Sequence, residues 1–178
     1  MTTIVAVAGS LRERSHTRVA LRHALDAAAE RGAETDFLDL RAFDLPPLNP
    51  DVADQGDSAA FTRQVRHADA ILLGTPVYHG SYSGVLKNAL DYCGRDEFDG
   101  ATVGLLAVSG GAFPVSALDH LRVVCRTLDA WVVPHQAGIP RASSAFDGDD
   151  FADEQLAGRV ETLGRRVVEF AHIESRSE

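Results

Sequence analysis

A short segment near the start of the chain combines the residue types that bind phosphate. Residues 3–8 are β-branched and small and predict a strand, and residues 9–17 follow with the sequence Gly-Ser-Leu-Arg-Glu-Arg-Ser-His-Thr. A helical pattern begins at Ser15, so loop N–H groups, hydroxyls, the Arg12 guanidinium and a helix N-terminus are expected to converge. This combination favours binding of the terminal phosphate of a cofactor. The alternative is that Ser15 only caps the helix and that Arg12 is solvated.

The glycine spacing in this segment does not match two common nucleotide-binding motifs. A Rossmann fingerprint requires G-x-G-x-x-G, whereas Gly9 is the only glycine in residues 9–17. A Walker loop ends in Gly-Lys followed by Ser or Thr, and this segment contains no lysine. Both differences favour a mononucleotide over NAD as the tightly held group.

Two later segments also follow predicted strands and carry residue types that suit a ligand. Residues 75–84 are rich in Gly, Pro, Tyr and Ser, which suits a flat ring that needs close backbone approach and a stacking partner. Residues 109–114 begin Ser-Gly-Gly, and backbone N–H groups there would stabilise negative charge on a reduced ring. The alternatives are ordinary loop packing for Tyr78 and Tyr82 and a plain strand-to-helix turn for the second segment.

Strand-like and helix-like patterns alternate along the chain. The predicted strands are residues 4–8, 35–40, 70–74, 102–109 and 130–134. Apolar residues at helical spacing predict five helices after these strands. The alternation predicts an α/β fold: a flavodoxin-like three-layer sandwich with a five-stranded parallel sheet in the order 2-1-3-4-5 and a ligand beyond strands 1 and 3. Residues 41–57 and 140–150 are predicted to be irregular loops, and residues 174–178 a frayed tail.

Composition predicts one domain over residues 1–178, expected in the cytoplasm. The chain is 45% hydrophobic and 24% charged, and no apolar run approaches the roughly 20 residues of a membrane helix. Its start does not resemble a secretion signal. Cys93 and Cys125 lack the spacing of metal ligands, which predicts a reduced pair in the core. The net charge of −9 argues against a nucleic-acid partner.

Two motifs together resemble the NAD(P)H-dependent FMN reductases, a family that includes azo, quinone and chromate reductases. The first, of moderate specificity, is Gly-Ser-x-Arg-x-x-Ser at residues 9–15. The second, more specific motif is Pro-Val-Tyr-x-Gly-Ser-x-Ser-Gly-x-Leu-Lys-Asn-Ala-Leu-Asp at residues 76–91. The resemblance spans residues 3–140. It implies an enzyme that passes hydride from NADPH or NADH to FMN and then reduces an acceptor such as free flavin, a quinone, an azo compound or a metal oxyanion.

The resemblance also implies which residues contact the cofactor. The phosphate would be bound by Ser10, Arg12, Ser15 and Thr17. The ribityl chain and ring would be lined by Pro76, Val77, Tyr78, His79, Gly80 and Ser81. The isoalloxazine would be flanked by Ser109, Gly110 and Gly111. Many members carry asparagine where this chain has Thr17, whose hydroxyl still donates. No catalytic acid, base or metal ligand is implied, because the flavin carries the chemistry.

Two alternatives concern how the flavin is used. If FMN dissociates readily, it is a substrate, and reduced FMN would supply a partner monooxygenase; if it stays bound, it is a prosthetic group. A non-enzymatic flavodoxin-type electron carrier would also bind FMN, although the arginine of the first motif and the Pro-x-Tyr sequence disfavour it. The resemblance further implies a homodimer or homotetramer, with contacts expected on the helix that bears Lys87 and Asp91.

Overall fold

A five-stranded parallel sheet forms the centre of the protein in a computed structural model that describes residues 1–173. The strands are β1 (Thr3–Ala8), β2 (Glu34–Asp39), β3 (Ala70–Pro76), β4 (Thr102–Val108) and β5 (Trp131–Ile139). Their order is β2-β1-β3-β4-β5, and every neighbouring pair is parallel. This order confirms the predicted flavodoxin-like topology. The tail predicted for residues 174–178 lies outside the described residues.

Helices cover both faces of the sheet. Seven are present in the described part of the chain: α1 (His16–Ala29), α2 (Ser58–Arg66), α3 (Gly84–Asp91), α4 (Arg95–Phe98), α5 (Val115–Thr127), α6 (Ala142–Ala145) and α7 (Glu154–Glu169). A 3-10 turn occupies Leu40–Ala42, and a small antiparallel hairpin consists of β6 (Phe146–Asp147) and β7 (Asp150–Phe151). None of the helices within residues 1–173 has the length and apolarity needed to cross a membrane.

Two apolar cores hold these layers together, one on each face of the sheet. In β1, Ile4 and Ala6 belong to the core that includes α1 and α7, whereas Val5 and Val7 belong to the core that includes α2, α3 and α5. Because both faces are covered, the central strands are nearly continuous apolar runs rather than alternating ones. Contact between α1 and α7 requires Gly164, since a Cβ there would lie 2.0 Å from the carbonyl oxygen of Ala24.

Strand β5 is longer than its sequence pattern predicts. The strand predicted to end at Pro134 continues to Ile139, with an irregularity in pairing between Val103 and Leu105 of the neighbouring β4. Proline lacks the N–H that a ladder needs, but β5 is an edge strand and tolerates it. Arg122 of α5 stabilises the irregular stretch by donating to the carbonyl oxygens of residues 133 and 134, at 3.0 and 3.2 Å.

The two predicted loops differ in their outcome. In the predicted loop 41–57, residues 41 and 42 belong to the 3-10 turn, and residues 43–57 contain no helix or strand, in agreement with the prediction. The prediction for residues 140–150 is wrong, because helix α6 and most of the β6–β7 hairpin lie there. The Phe146 ring stacks on His16 of α1 at 4.4 Å between centroids, and Phe151 packs against Phe146 at 4.5 Å. The contact with His16 joins residues distant in sequence, so the local pattern does not show it.

Candidate functional site

Three loops lie together at the carboxyl ends of neighbouring strands. The first loop (residues 9–17) follows β1 and enters α1, and the third loop (residues 109–114) follows β4. The second loop (residues 75–83) begins with the last two residues of β3. Strand β3 pairs with both β1 and β4, so the second loop lies between the other two. This is the edge of the sheet where α/β proteins of this topology bind ligands.

The first loop ends in a capped helix. Ser15 has an extended backbone, and its hydroxyl accepts a hydrogen bond from the N–H of Arg18 at 3.3 Å. Ser15 therefore caps α1, the role given above as the alternative to phosphate binding, and its phosphate contact stays a prediction. At the start of the loop, a Cβ on Gly9 would lie 2.7 Å from the Cβ of Leu86 and 3.0 Å from Ser83 Oγ. Glycine is required at this position because the first loop packs directly against α3 and its cap.

Several hydrogen-bond donors in the first loop have no protein partner within residues 1–173. No acceptor is found among the described residues for the backbone N–H groups of residues 10–16. The Arg12 guanidinium is exposed and has no partner within that part of the chain. Ser10 and Thr17 are each 2% exposed, and no hydrogen bond from their hydroxyls is found there either. Unpaired donors and a guanidinium at a helix N-terminus suit a phosphate dianion.

Arg18 organises the first loop from behind, although the sequence analysis did not select it. Its side chain is 8% exposed, and Nη1 donates to the carbonyl oxygen of Ser10 at 3.0 Å. Nη2 donates to the carbonyl oxygens of Arg12 and Glu13. Nε lies 3.7 Å from Oδ2 of Asp39, at the end of β2. One guanidinium therefore contacts three loop carbonyls and a carboxylate.

The Arg18–Asp39 pair remains ionised despite its burial. Burial lowers the pKa of Arg18, and the Asp39 carboxylate opposes that effect. Burial also opposes ionisation of Asp39, but hydrogen bonds and charge from Arg41, together with the charge of Arg18, hold the pKa of Asp39 below its ordinary value. The sequence does contain a signal that Arg18 is buried. Arg18 lies three residues before Leu21 and seven before Leu25, so it is on the same face of α1 as the buried apolar residues.

The second loop contains a tight turn fixed by its own backbone. The Tyr78 N–H donates to the Ser81 carbonyl oxygen at 2.9 Å, and the Ser81 N–H donates to the Tyr78 carbonyl oxygen at 3.0 Å. His79 and Gly80 both have positive φ, 49° and 78°, as in a type I′ turn. Tyr78 is 50% exposed. The Val77 N–H donates to the Val108 carbonyl oxygen at 2.9 Å, which ties the second loop to β4.

Ser83 joins the first and second loops; it belongs to the second motif, but the sequence analysis gave it no role. Its hydroxyl donates to the Gly9 carbonyl oxygen at 2.6 Å and accepts from the Leu86 N–H at 3.2 Å, which caps α3. Its N–H donates to Thr75 Oγ1 at 2.9 Å. A serine before a helical apolar pattern is a cap signal, but sequence alone does not show the contact with Gly9.

The third loop is held by the end of β5. The Ser109 N–H donates to the Ile139 carbonyl oxygen at 2.8 Å, and the Gly111 carbonyl oxygen accepts from the Arg141 N–H at 2.8 Å. A Cβ added at Gly110 would meet no protein atom within 4 Å. The third loop therefore has a fixed backbone beside open space, which suits the edge of a flat ligand. Pro76, the last residue of β3, pairs with Val108 just before the third loop. The structure therefore brings all thirteen predicted cofactor residues to the three loops.

The other residues singled out from the sequence have structural roles. Cys93 and Cys125 are both buried free thiols, and burial raises the pKa of Cys125 to about 12 and raises that of Cys93 further. Both are therefore protonated and unreactive near neutral pH. Lys87 forms an ion pair with Asp91 within α3, the arrangement that residues four apart on a helix commonly adopt.

Comparison with known proteins identifies the family of the chain. Residues 2–144 match the family described as NADPH-dependent FMN reductase. Two curated relatives are FMN-dependent NADPH-azoreductases, from Staphylococcus haemolyticus and Staphylococcus aureus; they are 32% and 35% identical over 175 residues, which is 93% of this chain and 93% of each relative. The chain belongs to the NADPH-dependent FMN reductase family. It is an oxidoreductase with FMN as cofactor and NADPH as electron donor.

Solved structures share the fold at lower sequence identity. The flavoenzyme NAD(P)H:(acceptor) oxidoreductase from Paracoccus denitrificans superposes with a TM-score of 0.80 at 24% identity, covering 97% of this chain and 98% of that one. An oxidoreductase from Corynebacterium diphtheriae gives a TM-score of 0.79 at 22% identity, covering 98% and 99%. These neighbours show that the fold of this chain is shared along nearly its whole length.

Proposed function

We propose that the three loops form one FMN site, at which NADPH reduces the flavin and a small acceptor is then reduced. The observation that carries this proposal is the set of unpaired donors in the first loop, on a chain whose net charge is −9. A site for an anion on an acidic protein needs such local donors, because the overall charge repels phosphate. Arg12 supplies the free positive charge, and Ser10, Ser15 and Thr17 supply hydroxyls.

The second and third loops would hold the rest of the cofactor. The residues proposed to line the ribityl chain and the ring are Pro76, Val77, Tyr78, His79, Gly80, Ser81, Ser109, Gly110 and Gly111. FMN, when bound, accepts hydride from NADPH and passes reducing equivalents to the acceptor. The protein's contribution is to bind the cofactor, to orient its ring with two rigid loops and to leave one face open.

The exposed rings beside the site favour a flat acceptor. Phe113 in the third loop is 83% exposed and Tyr78 in the second loop is 50% exposed. An aromatic acceptor such as an azo compound, a quinone or free flavin would stack on such rings, whereas a metal oxyanion would gain little from them. The curated relatives named as azoreductases support the same class of acceptor.

We also propose a cytoplasmic homodimer or homotetramer. Val115 and Val123 of α5 are 53% and 56% exposed, and α5 follows the third loop directly. A second copy that covers these residues would lie beside the site. The contact expected at Lys87 and Asp91 has less support, because these two charges already pair with each other.

The first experiment is an absorption spectrum of the purified, desalted protein, followed by anaerobic addition of NADPH. A yellow protein that bleaches within seconds is the expected result and indicates a prosthetic FMN. A colourless protein that oxidises NADPH once FMN is added indicates FMN as substrate, the form that would supply a partner monooxygenase. Bound FMN that NADPH reduces only slowly would favour the flavodoxin-type carrier. Absence of both colour and FMN-dependent NADPH oxidation would contradict the proposal.

A further inference from the structure

We propose that Arg18 is a positioning residue that gives this site its preference for a phosphorylated flavin, an inference that rests on the proposed function. The side chain of Arg18 is 8% exposed, so it acts mainly on the protein around it rather than on a ligand. Its guanidinium contacts the carbonyl oxygens of Ser10, Arg12 and Glu13. These carbonyls belong to the loop whose N–H groups lack protein acceptors in the described residues.

The effect follows from peptide geometry. In a planar trans peptide, the carbonyl oxygen and the N–H of the next residue point in opposite directions. Fixing the carbonyls of residues 10, 12 and 13 on Arg18 therefore turns the N–H groups of Leu11, Glu13 and Arg14 away from it. Those N–H groups are held as donors on the opposite side of the loop, which is what an anion needs.

The arrangement needs the shape of arginine as well as its charge. A guanidinium presents several donors in a rigid plane and serves several carbonyls at once, whereas a lysine ammonium is a point charge on a flexible stem. The charge of Arg18 is already balanced by Asp39, whose Oδ2 lies 3.7 Å from Nε. Arg18 thus contributes the geometry of the loop, and Arg12 contributes the free positive charge.

The test compares FMN with riboflavin, which lacks the phosphate. Affinities for both flavins are measured by fluorescence titration for the wild type, Arg18→Lys and Arg18→Met. The control is Arg22→Met, which removes an exposed charge one turn further along α1, where the guanidinium lies over the Phe37 ring. We expect both Arg18 variants to reduce the ratio of FMN to riboflavin affinity by about tenfold or more, equivalent to about 1.4 kcal/mol. Riboflavin affinity should stay within about twofold of the wild type in all variants.

The outcomes separate this inference from the proposed function. A wild type that binds both flavins equally would overturn the assignment of the phosphate to the first loop. A wild type that prefers FMN, together with an Arg18→Lys variant that keeps the preference, would overturn the role of Arg18. An equal loss of affinity for both flavins would also overturn the proposed role of Arg18, because it would indicate only a structural role. Thermal unfolding without flavin monitors folding, and Arg18→Lys keeps a cation opposite Asp39 if Arg18→Met does not fold.

Discussion

The first loop and the other two loops of the site are built in opposite ways. A buried side chain, Arg18, holds the first loop by its carbonyls. The second loop is fixed by reciprocal backbone hydrogen bonds between Tyr78 and Ser81, and the third by backbone bonds to Ile139 and Arg141. The contrast matches the two parts of the proposed ligand. Binding of a phosphate requires N–H groups that point toward it, whereas binding of a flat ring requires a rigid surface.

The contrast also separates the expected consequences of mutation. In the first loop, we expect ligand binding to depend on residues behind the loop, such as Arg18 and Asp39. The second loop closes on its own backbone and the third is bonded to the backbone of residues 139 and 141, so we expect substitutions there to act through the ligand contact. FMN and riboflavin together distinguish the two halves, because both flavins share the ring and only FMN carries the phosphate.

The largest effect is expected for Arg12→Ala. Loss of the exposed guanidinium should weaken FMN binding by about thirtyfold to a hundredfold, as expected for charge-assisted hydrogen bonds worth about 2–3 kcal/mol. Riboflavin affinity and the folded structure should not change. Arg14→Ala, which removes a neighbouring exposed arginine, is the matched control. The measurement is a fluorescence titration, and unchanged FMN affinity would remove Arg12 from the phosphate site.

A smaller effect is expected for Asp39→Asn, and it depends on pH. Because the pKa of Asp39 is lowered in the folded protein, its carboxylate stabilises the fold above its ordinary pKa of about 3.9, and this stabilisation disappears as pH falls through the lowered value. We expect the variant to lose about 1–2 kcal/mol of unfolding free energy at pH 7. The difference from the wild type should shrink below about pH 4.

Denaturant unfolding at several pH values tests this expectation. Asp36→Asn serves as the control, because Asp36 lies on the same strand and is exposed. A difference between wild type and Asp39→Asn that stays constant from neutral to acidic pH would contradict the electrostatic origin of the effect.

In the third loop, Gly110→Ala should weaken flavin binding without changing the stability of the fold. No protein atom lies within 4 Å of the added methyl group, so the free energy of unfolding should change by less than about 0.5 kcal/mol. Affinities for FMN and riboflavin should fall together by about threefold to tenfold, equivalent to about 0.6–1.4 kcal/mol. Gly158→Ala, at an equally open position on α7, is the control. Unchanged affinities would place the ring away from Gly110.

The smallest effect is expected for His120→Ala. His120 Nδ1 lies 2.9 Å from Ser81 Oγ, but His120 is exposed and Ser81 only half-buried, so the hydrogen bond contributes about 0.5 kcal/mol. Because backbone bonds already fix the turn, FMN and riboflavin affinities should each fall by only about twofold. His67→Ala, directly after α2, is a control that also removes an exposed histidine. A loss above about tenfold would show that the turn depends on side chains, as the first loop does.

The sequence predicts most of the fold because its signals are local. Alternation of apolar patterns predicts the sheet order, and Ser15 predicts the start of α1 by its cap chemistry. The prediction fails where contacts between residues distant in sequence determine the structure. Pro134 indicates the end of a strand, but an edge position and Arg122 let β5 continue.

The candidate site is likewise predicted only in part from the sequence. The motifs identify the three loops, but they do not identify the residues that hold them in place. Arg18 and Ser83 are ordinary residues at the start of helices, and only the fold brings them to the carbonyls of residues 9–13. Whether the thirteen loop residues contact FMN stays a prediction for the titrations above.

The irregular stretch of β5 also limits how copies of the protein can associate through this edge of the sheet. An exposed sheet edge offers a row of unpaired N–H and carbonyl groups on which another strand can grow. Here Pro134 has no N–H to offer, and Arg122 occupies the carbonyl oxygens of residues 133 and 134. Intermolecular strand addition is therefore blocked along part of this edge. Open-ended growth of the sheet is thereby disfavoured at β5.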